Sequence, residues 1–312
     1  MQSVYNRWRR GLAGLLARMV GADGERIWSH VDMEHPAAGP WELVVTRRIK
    51  RMRWLMTLAS LMLFVVGAWV VWWLMPSLML GMWQWIASAL VAGIAVHGLF
   101  ILIVHEAAHG NLFGRRGDRW LGAIACGVLL LPFAAASYSQ LHRRHHACTN
   151  RNGDNNWTSL RRRLYQRSRL LYMLYELIPV VNNLDRITST SNISSDRSAA
   201  ALAWGVAALV WWWSGTTIAW YAFVLVGLTA VNALRLWVEH MGSTSGRVAN
   251  TYGGCPLGFG IGHHALHHLH PGIPAPVLMV GLWLRQHDVT LWSGWWRLLF
   301  DRRWRHFSDM AD

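Results

Sequence analysis

Three histidine clusters carry the chemistry that this chain is able to do. They are His105-Glu-Ala-Ala-His109, His142-Arg-Arg-His145-His146 and His264-Ala-Leu-His267-His268. On a helix, residues at i, i+3 and i+4 share a face, so each cluster is expected to aim two or three imidazoles at one point. One histidine near a membrane surface is ordinarily just solvated, but three such clusters among sixteen histidines are not a chance pattern. Imidazoles without thiolates suit zinc, copper, iron or nickel. These eight histidines exceed the three or four ligands that a single metal takes, so two metals are predicted, of a kind that spacing does not identify.

Other residues fall close to the clusters. His240 follows Glu239 near the end of an apolar run and suits a structural role as well as that of a ninth ligand. Asp154 follows the second cluster, and Glu106 and Glu239 each adjoin a histidine; carboxylates so placed commonly accept the second ring N–H of a ligand histidine. His97 precedes His105 by about two turns and reads best as a neutral side chain bonded to a neighbouring helix.

The elements that position these residues are membrane spans. The chain is 53% hydrophobic and only 15% charged, against about a quarter in soluble domains. Runs at 54–75, 83–104 and 199–213 lack charge, 217–238 carries only Arg235 near its end, and the first two are long enough to cross a core of about 30 Å. They form two hairpins, with turns at 76–82 and at Ser214-Gly215-Thr216. Residues 120–136 are short and rich in Gly and Ala, and read as partly inserted. The polar stretch 142–169 is expected to lie in water, and Trp292, Trp295, Trp296 and Trp304 at headgroup depth. Neither turn carries charge, while every basic cluster falls on the other side, which puts both termini and all three histidine clusters in the cytoplasm. The expected fold is all-α and integral to the membrane, with about four transmembrane helices under a cytoplasmic, histidine-rich helical cap. Residues 1–46 form an interfacial segment, with an amphipathic helix over 4–20, and 47–312 a single membrane domain.

At the clusters the sequence resembles the membrane fatty acid desaturase superfamily, which also includes lipid hydroxylases and ketolases. The matching stretches run from His105 to Phe113, from His142 to His146 with Asp154 beyond, from Arg235 to His240, and from His264 to Pro274. The resemblance implies two irons held by His105, His109, His142, His145, His146, His240, His264, His267 and His268. It also implies O2 as co-substrate, electrons from a separate donor such as a ferredoxin or a cytochrome b5-like protein, and a tunnel for an acyl chain. Fatty acid desaturation is the activity it points to first, with hydroxylation or ketolation as the alternative. The sequence departs from many front-end desaturases at Gly262, and His263 beside His264 leaves the register of the last cluster open, as does a role for His270.

Two other classes compete. His105-Glu106-x-x-His109 fits a zinc protease motif with Glu as the general base, but leaves two clusters unused. A metal carrier or haem-binding protein would keep its ligands within the membrane rather than at one face. The net charge of +14 comes from Arg, with Lys50 the only lysine; because it flanks apolar runs it points to membrane topology rather than to nucleic acid. Runs such as Arg161-Arg162-Arg163 and Arg302-Arg303-Trp304-Arg305 would steer an acidic electron donor. Three cysteines without a CxxC give no disulfide framework, no cleavable signal is expected, and the length leaves no room for a fused redox domain.

Overall fold

The computed structural model describes residues 40–303, apart from Met79, 150–152, 189–194, 242–248, Thr251, 254–261, His263, His270 and 276–288. The expected helix over 4–20, and His263, His270, Trp304 and Arg305, lie outside the described residues. The described chain is mostly helical. Its only strands are the two-residue β1 (Tyr252–Gly253) and β2 (Val289–Thr290), paired in parallel.

Helix α1 (Pro40–Trp69) runs through a π-helical turn, Val70–Leu74, to a last turn that holds Pro76. Helix α2 (Met82–Leu99) passes into a second π-helical stretch, Phe100–His105, and then into α3 (Glu106–His109). The helix stops at Gly110, whose left-handed backbone (φ 77°) suits glycine. The loop beyond is tied down by Asp118, which accepts from the backbone N–H groups of Leu112 and Phe113 at 3.0 and 2.6 Å. Asp118 belongs to α4 (Arg115–Val128).

Helices α9 (Arg197–Ser214) and α10 (Ile218–Glu239) form the second expected hairpin, turning at Gly215 in the left-handed region (φ 63°). Asp196 caps α9 by accepting from Ala199 N–H, and Thr217 caps α10 by accepting from Trp220 N–H. Among the described residues, three stretches are long and apolar enough to cross a membrane: 54–77, 82–109 and 218–239. The fourth expected span, in α9, does not join them, because Arg197, Ser198, Gly205 and Ser214 dilute a run of small alanines. Helix α1 presents a broad exposed apolar face, with Trp54, Leu55, Met62, Leu63 and Val65 all exposed.

Helices α2 and α10 pack backbone to backbone. A Cβ on Gly227 would sit within 2.9 Å of the Leu90 carbonyl carbon, and one on Gly93 within 2.6 Å of Leu228 N. Close approach of this kind is how helices associate where lipid supplies no hydrophobic drive. It fixes the ends of α2 and α10, and so His105 and His240, relative to each other.

Short helices cover that end: α5 (Tyr138–Cys148), α6 (Ser159–Arg167), α7 (Arg169–Glu176), α8 (Val181–Thr188), α11 (His264–Leu269) and α12 (Leu291–Phe300). The expectation that 142–169 lies in water needs correcting, since His145, Asp154, Asn155, Thr158 and Arg161 are all buried. Arg161 is no surface charge either: it donates to Glu176 at 2.5 Å and to Asp185 at 2.6 Å, where Thr158 Oγ1 also bonds. Polar composition predicts solvent only when the groups lack partners, and these have them. Arg162, Arg163, Arg302 and Arg303 are exposed as expected, and so are Trp292 and Trp296 on α12.

Candidate metal centre

All nine histidines singled out in the sequence meet at the covered end of α2 and α10. Two groups of four stand out, within each of which the ring nitrogens lie within 4.8 Å of one another: His105, His109, His142 and His267, and His145, His240, His264 and His268. His146 stands between them, its Nε2 3.2 Å from that of His142 and its ring stacked on His268 with centroids 4.3 Å apart.

The grouping differs from the expectation that each cluster serves one point. Clusters two and three are each divided, and helix geometry says how. Consecutive residues point about 100° apart, whereas i and i+4 nearly coincide. On α5, His142 and His146 share a side and His145 turns to the second group; on α11, His264 and His268 share a side and His267 turns to the first.

The inward atoms are Nε2. His105 and His267 approach at 3.1 Å, His109 and His142 at 2.8 Å, His240 and His264 at 3.0 Å, and His264 and His268 at 3.1 Å. Such separations are the edges expected of nitrogens about 2.0–2.1 Å from a shared cation. Hydrogen bonding alone accounts for them poorly. His142 Nε2 and His264 Nε2 each face two other Nε2 atoms, and a neutral ring nitrogen has one proton or one lone pair to offer.

Groups on the outer nitrogens favour that tautomer. His105 Nδ1 lies 2.9 Å from Glu106 Oε1 and His145 Nδ1 2.8 Å from Asp154 Oδ1, while His268 Nδ1 lies 3.1 Å from Thr149 Oγ1. With Nδ1–H donated outward, the Nε2 lone pair faces inward. Glu106 is itself held, because Asn111 Nδ2 donates to its other oxygen at 2.9 Å and also to the Pro271 carbonyl. Burial, reinforced by neighbouring imidazoles, holds His142, His264, His267 and His268 well below the ordinary imidazole range, and His146 down to about 2. These rings are therefore neutral near pH 7, the state in which imidazole binds a metal. The donor set, its tautomers and its protonation fit two cations such as iron.

Glu239 sits differently. Its Oε1 accepts from Arg235 at 2.7 Å and from the Tyr252 hydroxyl at 3.0 Å, and its Oε2 points toward His264 Nε2. Arg235 also donates to Asn232 Oδ1 at 3.2 Å, and Asn232 bonds His97, the interhelical partner expected for that buried histidine. Sequence reasoning missed Thr149 and Asn111, although both lie within five residues of a cluster. It had no signal for Tyr252, whose hydroxyl meets Glu239 only in the folded chain.

A cavity of about 170 Å³ links the centre to the spans. His105, His142, His145, His240 and His264 line it, so both groups border the same space. Phe100, Leu131, Phe133, Leu225 and Leu228 also line it, together with polar groups of His97, Thr229, Asn232 and Arg235.

A family model described as fatty acid desaturase matches residues 82–279, a stretch that contains all nine histidines and all three carboxylates. Comparison with curated proteins and with solved structures gives no match.

Proposed function

Because the chain belongs to the fatty acid desaturase family, we propose that it oxidises a lipid acyl chain with O2 at a pair of irons held by the nine histidines, most simply as a desaturase. The observation that carries this reading is the cavity, which is bordered by both histidine groups and lined also by apolar side chains of the helices, among them Phe100, Ile101, Leu225 and Leu228.

An unactivated C–H bond offers the protein no polar handle, so the irons, when bound, supply the oxidising chemistry. The side chains hold, orient and exclude. His105, His109, His142 and His267 hold one cation, His145, His240, His264 and His268 the other, and His146 stands at the junction. Glu106 and Asp154 keep the Nδ1 protons of His105 and His145 turned outward. Phe100, Leu225 and Leu228 hold the chain by dispersion and keep water from it. Removal of two hydrogens gives an alkene while O2 becomes two waters, which takes two electrons and two protons besides. The electrons come from a separate donor. Hydroxylation or ketolation by the same centre is the alternative outcome.

The proposed topology has four spans, α9 included, with both termini and the cap in the cytoplasm, residues 1–46 at the interface and 47–312 as one domain. The basic flank at 47–53 and the uncharged turns support it.

Two measurements test the reading. Iron reconstituted anaerobically into the purified chain should approach two per chain; a single zinc with no iron uptake would sink it. Acyl-lipid profiles of cells with and without the gene should differ by unsaturation, or by an added oxygen for the alternative.

A further inference from the structure

Three buried carboxylates approach the histidines, and one does so from another direction. Glu106 and Asp154 meet Nδ1 atoms, at 2.9 and 2.8 Å, on the side of each ring away from the centre. Glu239 instead brings Oε2 to 3.5 Å from His264 Nε2. That is the nitrogen lying 3.0 Å from His240 Nε2 and 3.1 Å from His268 Nε2. The Glu239 side chain is 1% exposed, and its Oε1 is fully engaged by Arg235 and Tyr252. Among the described residues Oε2 has no hydrogen-bond partner. A buried carboxylate oxygen without a partner is costly. The neighbouring Nε2 lone pairs do not relieve that cost; a cation between them would. Glu239 also lines the cavity, so it faces the side from which a substrate arrives.

We propose that Glu239 Oε2 is a direct oxygen ligand of the metal held by His145, His240, His264 and His268. The inference rests on the two-metal reading above. It makes the centre asymmetric, with one cation bound by imidazoles alone and the other by imidazoles and an anionic oxygen. An anionic ligand favours the higher charge state of the metal it touches. Arg235, through its bond to Oε1, is then the positioning residue that fixes which oxygen turns inward.

The test uses the full-length chain, reconstituted anaerobically with ⁵⁷Fe(II), read by metal content and Mössbauer spectroscopy. The wild type should take two irons and show two doublets of equal area. Glu239→Gln should weaken the second iron by about a hundredfold or more, the upper end of what outer partners of a ligand cost when lost. It should displace one doublet only. Tyr252→Phe removes a bond to Oε1 and leaves Oε2 alone, and should keep both irons and both doublets. Infrared difference spectra of wild type carrying ¹³C-labelled glutamate need no variant; a carboxylate stretch displaced on iron loading is expected. The assignment is overturned by a Glu239→Gln protein with two irons and unchanged doublets, by Tyr252→Phe reproducing the loss, or by no carboxylate shift. A wild type that never takes a second metal overturns the two-metal reading itself, and this inference with it.

Discussion

An imidazole faces a metal with one nitrogen, and the partner of the other nitrogen decides which. In His145 and His268, Asp154 and Thr149 sit at Nδ1 and leave Nε2 to the histidine group. His145→Ala or His268→Ala is expected to abolish turnover while leaving membrane insertion intact, because neither lies in an apolar span. Activity above about a tenth of wild type, a barrier change of only about 1.4 kcal/mol, would remove that residue from the ligand set; His30→Ala serves as the control. Asp154→Asn keeps the shape but can present an amide N–H to Nδ1, which favours the wrong tautomer. It should weaken iron binding about 10–100-fold in a competitive chelator titration; wild-type affinity would assign Asp154 to its loop alone, where it also accepts from Asn156 N–H.

At the scale of elements, the placement of the histidines depends on how closely α2 and α10 approach. Gly205 on α9 and Gly227 on α10 make a matched comparison. A Cβ at Gly205 meets nothing, whereas at Gly227 it falls 2.9–3.0 Å from Leu90 backbone atoms. Gly205→Ala should hold or raise the thermal midpoint in detergent, by up to about 1 kcal/mol of helix propensity. Gly227→Ala should lower it, toward the upper part of the about 1–3 kcal/mol that overpacking costs. Equal shifts would mean the α2–α10 contact is looser than described. The π-helical stretch Phe100–His105 belongs to the same scale, for it re-phases His105 against the lower turns of α2 immediately before the first cluster begins. Nothing in Phe-Ile-Leu-Ile-Val-His announces it, because an apolar run is compatible with either helix.

For the whole molecule, the net charge of +14 bears on its electron donor. Only exposed charge steers a partner, and the buried network at α6 divides one arginine run into two roles. Arg162 and Arg163 are exposed, whereas Arg161 is held by Glu176 and Asp185. Turnover with an acidic donor should fall as salt rises, since exposed charges are screened beyond about 8–10 Å at physiological ionic strength. Arg162→Gln with Arg163→Gln should lower it at low salt and flatten that dependence. A donor-dependent rate indifferent to both would move docking elsewhere. Arg161→Gln should instead destabilise the fold, by about 3–5 kcal/mol, because it strands buried carboxylates.

The histidine clusters and most of the helices that carry them were legible in the residues alone. The i, i+3, i+4 spacings of His105 to His109, His142 to His146 and His264 to His268 are local, so helix periodicity alone brings each set together. The apolar runs at 54–75, 83–104 and 217–238 likewise declare helices long enough to cross a membrane. Tertiary structure decided everything that depends on the relative rotation of helices distant in sequence. It split clusters two and three between the groups, brought Tyr252 back to Glu239, buried Arg161, and turned Glu239 Oε2 toward His264 Nε2 rather than outward like Glu106. The reason is geometric. Spacing fixes which side chains share a face, but the partner that face meets is set by packing, here by glycines that let α2 and α10 touch and by the contacts of His267 with His105 and of His264 with His240.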